Sequence, residues 1–143
     1  MACRRGEAEA TGDITYRRLR RGAVPEFFNN EYFLQYRDAR YMDYSKAQDG
    51  YTVAYSGSGV PARSLVLSTI CEMARPRLYY DTAMLIGRES AILGKYRKVH
   101  PAALLSLEKI YFRGGSSFPV FRIEEWTLGI STCYDNLFPE PWR

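Results

Sequence analysis

From residue 65 onward the chain alternates short apolar runs with sharp turn signals, whereas residues 1–22 carry no apolar periodicity of strand or helix type. Leu65-Val66-Leu67-Ser68-Thr69-Ile70-Cys71 reads as a buried strand. A turn at Ala74-Arg75-Pro76-Arg77 leads to a second strand over residues 79–86, and Gly87-Arg88-Glu89-Ser90 predicts a tight turn into residues 91–96. Residues 101–107, rich in Ala and Leu, are predicted to be helical. Residues 118–123 and 127–132 read as two strands joined by the polar Glu124-Glu125 turn, and the second delivers Cys133. Nearer the start, a short strand from Ala23 leads to Glu26, and a tyrosine-rich loop or helix runs through Tyr44. Ser56-Gly57-Ser58-Gly59-Val60-Pro61 is a flexible punctuation point. Strands alternating with turns, with helices between, predict an α/β architecture.

Composition bounds this picture without changing it. A chain of 143 residues is one domain's worth and buries about two-thirds of its unfolded surface. Hydrophobic residues at 46% and charged residues at 25% exclude wholesale disorder. The 12 tyrosines concentrate between Glu31 and Tyr55, which suggests a wet, half-buried surface near a pocket or subunit contact. The net charge of +4 is uneven, with Arg4, Arg5, Arg17, Arg18, Arg20 and Arg21 all before residue 23. They read as a solvated basic arm; no stacking platform or recognition motif accompanies them, so neither nucleic acid nor a membrane is an expected partner. Cys3, Cys71 and Cys133 are too few and too irregularly spaced for a disulfide framework or a zinc site. The arginines are followed by no apolar leader core, and no apolar run approaches 18 residues. A reducing, cytoplasmic setting is the expectation, and it suits a free thiol.

Three residues draw attention as chemistry. Cys133 sits where an apolar strand turns into a loop, which fits a small core residue or a nucleophile; Cys71, mid-strand, reads as core. Glu26 follows Pro25 among Val24, Phe27 and Phe28, so it is either a surface turn residue or a carboxylate held partly out of water to act as a base. Lys95, Arg97, Lys98 and His100 form a cationic run that is a solvated face or the source of a field favouring a thiolate. Sequence alone does not choose among the four.

Taken in order, Val24-Pro25-Glu26-Phe27-Phe28-Asn29, Gly94-Lys95-Tyr96-Arg97-Lys98-Val99-His100 and Cys133-Tyr134-Asp135-Asn136-Leu137-Phe138-Pro139-Glu140, with Leu78–Met84 and the Leu107–Gly115 run between them, resemble the nitrilase, or carbon–nitrogen hydrolase, superfamily. The resemblance covers roughly residues 23–143. It implies a partial four-layer α-β-β-α sandwich whose C-terminal half is missing, preceded by an atypical arm over residues 1–22. It also implies a cofactor-independent hydrolase of amide, N-carbamoyl or nitrile bonds, with no metal, and a homo-oligomer in the full-length form. Glu26 is the implied general base, Lys98 the cation that stabilises the oxyanion together with the Tyr134 N–H, and Cys133 the nucleophile. Glu108 supports the lysine and substrate, and Tyr134, Asp135, Trp142 and Arg143 wall the pocket or brace its loop. His100 is structural. Members usually carry Asn where this chain has Asp81, and an apolar residue where it has Thr132. Two rival expectations stand beside this one: a non-catalytic remnant acting at most as an interaction subunit, and a basic nucleic-acid-binding module. For the short chain the expectation is low solubility and hydrolysis near background.

Overall fold

The computed structural model describes residues 21–23, 26–27, 32–44, 65–87 and 91–143. The expected punctuation point at 56–61 and the arm over 1–20 lie outside them, as does Cys3.

A four-stranded sheet forms the centre, in the order β1-β2-β3-β4. Its strands are β1 (Arg21–Ala23), β2 (Leu65–Arg75), β3 (Leu78–Ile86) and β4 (Ile92–Arg97). β1 runs parallel to β2, and the other pairs are antiparallel. The hairpin between β2 and β3 turns at Pro76-Arg77, where Arg77 takes a left-handed φ of 65°, and a register shift between Met73 and Arg75 relieves the turn. Seven consecutive residues of β3, Tyr80 to Ile86, are buried, which is why that stretch shows no polar alternation in sequence.

Strand periodicity sorts this sheet into two faces. One carries Val66, Ile70, Met84 and Ile86, packed together as an apolar cluster, and a charged group centred on Glu72. Glu72 is 3% exposed and accepts from Thr82 Oγ1 at 2.6 Å, Lys95 Nζ at 3.1 Å and Arg97 Nη2 at 2.8 Å. The other face carries Thr69, Cys71, Asp81, Ala83 and Tyr96. Here Cys71 packs with Phe27, Phe33, Leu34, Met42 and Phe112, while Ala83 and Tyr96 pack with Ile130. Cys71 is therefore a core residue, as expected.

Two strands expected to lead straight to Cys133 form a separate hairpin instead. β5 (Val120–Ile123) pairs only with β6 (Trp126–Gly129), and β6 ends four residues before the cysteine. Phe121 of this hairpin lies over Gly94: a Cβ there would sit 2.2 Å from the ring, so the glycine is what lets the hairpin approach β4.

Residues 101–107 are not the expected helix. Pro101 and Ala102 are buried, Leu104 and Leu105 are exposed, and Leu105 has φ 58°, so the apolar content is not arranged on one helical face. The helix comes later, as the single turn α1 (Glu108–Tyr111). The tyrosine-rich segment becomes a loop and a 3-10 helix over Ala39–Tyr44. Tyr41 stacks on Phe33 and Tyr36, and Tyr111 closes the group through its hydroxyl, which binds Tyr36 O and accepts from Asp38 N. Tyr32 and Tyr36 are about half exposed, which agrees with a wet aromatic surface.

Candidate active site

Strand alternation continues past the end of β4 and separates the four cations. Lys95 and Arg97 point to the Glu72 face, while Tyr96 and Lys98 point to the other. The Lys98 backbone is gripped from both sides, with its N–H on Asp81 O at 2.9 Å and its carbonyl accepting from Gly115 N at 2.8 Å. Gly115 is required there, since a Cβ would lie 2.2 Å from Arg97 O.

The Lys98 side chain is 1% exposed. A buried ammonium needs partners, and it has three carboxylates: Glu26 Oε1 and Glu108 Oε2, each at 2.8 Å, and Asp81 Oδ2 at 3.4 Å. Burial works against the charged lysine, but Asp81, Glu108 and Glu26 outweigh it and raise its pKa, so it stays cationic. One oxygen each from Glu26, Asp81 and Glu108 lies within 4.8 Å of the others, a spacing a cation could bridge; the lysine supplies that charge.

Each carboxylate comes from a different element. Glu26 follows β1 in a turn, with Phe27 at φ 55° and its N–H on Thr69 Oγ1 at 3.1 Å, which ties the turn to β2. Glu108 opens α1, and its Oε2 also accepts from Ala102 N at 2.8 Å. Asp81 lies on β3 opposite Cys71 of β2.

Cys133 opens a 3-10 helix, Cys133–Leu137, with φ 48°. A left-handed conformation at a β-branch-free but non-glycine residue costs about 1–2 kcal/mol and persists where the surroundings hold it. Asp135, fully buried, is that hold. Its Oδ1 accepts from His100 N at 2.8 Å and faces His100 Nδ1 at 3.0 Å, and its Oδ2 accepts from the Tyr96 hydroxyl at 2.5 Å and Thr132 N at 3.3 Å. His100 in turn stacks on Phe138 at 3.8 Å between ring centres. His100 is thus structural, and Asp135 braces the loop.

The Cys133 thiol and the Glu26 carboxylate lie close enough for each to shift the other's pKa. Burial of the sulfur comes first among the influences on it, and with Glu26 and Glu108 it outweighs the Lys98 field, so its pKa lies above the ordinary value. The expected field of the cationic run around Lys98 does lower the thiol, but it does not prevail over these influences. Glu26 is pulled the other way: burial raises it, but the neighbouring Asp81, Lys98 and Cys133 leave it below the usual carboxylate value. The pair is therefore a thiol beside a carboxylate.

The structure brings together Glu26, Lys98, Glu108 and the Cys133 thiol, and adds Asp81. Tyr134 is partly buried and packs edge-on against Phe138. Trp142, 70% exposed on the 3-10 helix Glu140–Trp142, walls nothing among the described residues, and Arg143 is exposed beside it. Sequence reading marked Asp81 only as a departure; its register opposite the buried Cys71 is the signal that places it inside. An open cleft of about 480 Å³ lined by Arg37, Asp38, Met42, Arg77, Tyr79 and Tyr111 includes none of the clustered groups.

The sheet that carries these groups is one that known proteins share. The chain belongs to the carbon-nitrogen hydrolase family, whose model matches residues 22–143. An N-carbamoylputrescine amidase of Oryza sativa subsp. japonica is 28% identical over 127 residues, covering 82% of this chain and 40% of that protein. A probable nitrilase of Schizosaccharomyces pombe is 35% identical over 72 residues, covering 50% of this chain and 25% of that protein. Among solved structures, a carbon-nitrogen hydrolase from Helicobacter pylori G27 superposes with a TM-score of 0.73 at 23% identity, covering 85% of this chain and 41% of that one. The fold is the α/β nitrilase type, and the chain spans less than half the length of these relatives. Among the described residues no helix is long and apolar enough to cross a membrane.

Proposed function

We propose that this chain carries the catalytic groups of a hydrolase of non-peptide carbon–nitrogen bonds, acting on an amide or N-carbamoyl substrate, with nitriles as the next class. The observation that carries the reading is the Glu26 carboxylate bound to the buried Lys98 ammonium at 2.8 Å, with the Cys133 thiol near enough to shift its pKa. The similarity to an N-carbamoylputrescine amidase supports the substrate class.

Glu26 takes the thiol proton as Cys133 Sγ attacks the substrate carbonyl carbon. The negative charge that develops on the carbonyl oxygen is met by Lys98 and by the Tyr134 N–H, donors fixed before the reaction begins. Glu26 then hands its proton to the departing nitrogen, the C–N bond breaks, and an acyl thioester remains on Cys133. Water, deprotonated by Glu26, attacks that thioester and restores the thiol. Glu108 also binds Lys98 at 2.8 Å, so two carboxylates hold the ammonium in place.

The test uses the chain by itself and the chain joined to the remaining segment of a homologous enzyme. Each is incubated with amide and N-carbamoyl substrates, with Cys133→Ala as the blank. An acyl adduct on Cys133 by intact mass, together with amine or ammonia release that falls at least a hundredfold in Glu26→Gln, is the expected result. Neither adduct nor release above the blank in either form would leave a binding or interaction role in its place.

A further inference from the structure

Asp81 has no part in the steps above, yet it is the least satisfied group in the cluster. It is 2% exposed, and among the described residues neither of its carboxyl oxygens has a hydrogen-bond partner. An ionised carboxylate in that position is costly, because nothing replaces the water it has lost. Its surroundings add to the cost, since Glu26, Asp81 and Glu108 crowd around one ammonium.

The donors can be counted. A lysine offers three N–H groups. Glu26 and Glu108 take one each at 2.8 Å, and Asp81 Oδ2 stands off at 3.4 Å. Glu108 also accepts from Ala102 N. Three ionised carboxylates against one ammonium leave two negative charges uncompensated, and a single proton halves that. Of the three, Asp81 is the carboxyl whose oxygens serve no donor, so it is where a proton displaces no existing bond.

We propose, building on the site reading given above, that Asp81 is a positioning residue that works as a neutral carboxylic acid. Its O–H donates to Glu26, fixing that carboxylate toward Cys133, and its neutrality leaves the third Lys98 N–H for the substrate oxygen. Burial and the neighbouring Glu26 push the Asp81 carboxyl well above the ordinary aspartate range, against the pull of Lys98, which agrees with the donor count. The titratable groups facing it are Glu26 after β1, Cys71 on β2, Tyr96 and Lys98 at the end of β4, and Glu108 on α1.

Two measurements on the full chain test this, and neither depends on hydrolysis. The first compares the unfolding equilibrium constant of the natural chain with that of Asp81→Asn between pH 4 and 9. A carboxyl with a raised pKa in the folded state stabilises fully below its unfolded value and loses that contribution as pH rises. The ratio of natural to variant unfolding constants should therefore climb from about pH 4, by up to about tenfold per pH unit, until the folded Asp81 itself ionises. The second follows Cys133 alkylation by iodoacetamide against pH. Asn is neutral and still offers Glu26 a donor, so the variant's profile should overlay the natural one, within about twofold in rate, at every pH below that at which the folded Asp81 ionises. A flat ratio overturns the proposal, because Asp81 is then ionised as usual. A variant profile displaced to lower pH, by about threefold or more in rate at neutral pH, also overturns it, since Asp81 would then already carry a negative charge beside the site. If Asp81→Asn does not fold, the natural chain labelled with carboxyl-¹³C aspartate gives the same answer: one carboxyl must titrate far above the others, and its absence refutes the protonated state.

Discussion

Replacing Lys98 with Met keeps most of the side-chain volume and removes the one charge that three carboxylates share. The lysine is 1% exposed, so the lost interaction is not screened by water. Breaking a buried ion pair by deleting one partner typically costs about 3–5 kcal/mol, because the remaining charges are left uncompensated. Here Glu26 and Glu108 each lose a 2.8 Å bond, which places the expected loss at about the middle of that range or above. For a chain of this size a urea slope of about 2 kcal/mol per molar converts about 4 kcal/mol into a midpoint lowered by roughly 2 M. The loss has a definite pH dependence. Without Lys98 the folded-state pKa values of the carboxyls rise, and a group with a raised folded pKa stabilises below its unfolded value and loses that contribution as pH rises. The variant should therefore lie closer to the natural chain at pH 5 than at pH 8. Urea unfolding followed by tryptophan fluorescence at both pH values measures this, and adding Glu108→Gln to Lys98→Met should recover part of the loss by removing one unpaired charge. A variant within about 1 kcal/mol of the natural chain at pH 8, or a deficit that is equal at pH 5 and pH 8, refutes the reasoning.

Cys133 should alkylate at least about tenfold faster than Cys71 at pH 8, because Cys71 is buried with its thiol pushed up to about 12 while Cys133 is exposed; peptide mapping after a timed iodoacetamide pulse reads the two rates. Lys98→Ala should slow Cys133 further, since Lys98 is the influence that lowers its pKa. Glu72, held at about 2 by Arg97, Thr82 and Lys95 against the effect of burial, stabilises the fold above its ordinary 4.5 and loses that contribution as pH falls from there toward 2. Glu72→Gln should cost about 2 kcal/mol at pH 7, because Lys95 and Arg97 are partly open to water, and almost nothing near pH 2, as thermal unfolding across that window would show. Gly115→Ala should lower stability by about 1–3 kcal/mol and slow Cys133 labelling together, because its Cβ would press on Arg97 O at 2.2 Å and displace the strand end that carries Lys98.

How much of this could be read from the chain depends on whether a feature is local. The strands over 65–75 and 78–86 were legible because burial leaves them largely apolar and Pro76-Arg77 marks the turn between them. The hairpin over 120–129 was legible for the same reason, but not its independence from the main sheet, which follows from Gly94 admitting Phe121. Residues 101–107 misled because Ala and Leu favour helices, whereas Pro101, the left-handed Leu105 and the Glu108–Ala102 bond favour a loop that brings Glu108 to Lys98.

Site chemistry was legible in identity and not in state. Motif order selects Lys98 from four cations, and the alternation along β4 gives an independent physical reason: Lys95 and Arg97 belong to the Glu72 face, while position 98 shares a face with Tyr96 and turns inward. The protonation pattern has no such one-dimensional trace. It depends on how many carboxylates surround one ammonium, and Asp81 joins Glu26 and Glu108 there only because β3 sets it opposite Cys71 while the loop and α1 fold over the same point. The sequence thus names four members of a five-member cluster: nucleophile, base, cation and the supporting Glu108. The fifth, Asp81, decides together with Glu108 whether that cation has a hydrogen left to offer a substrate.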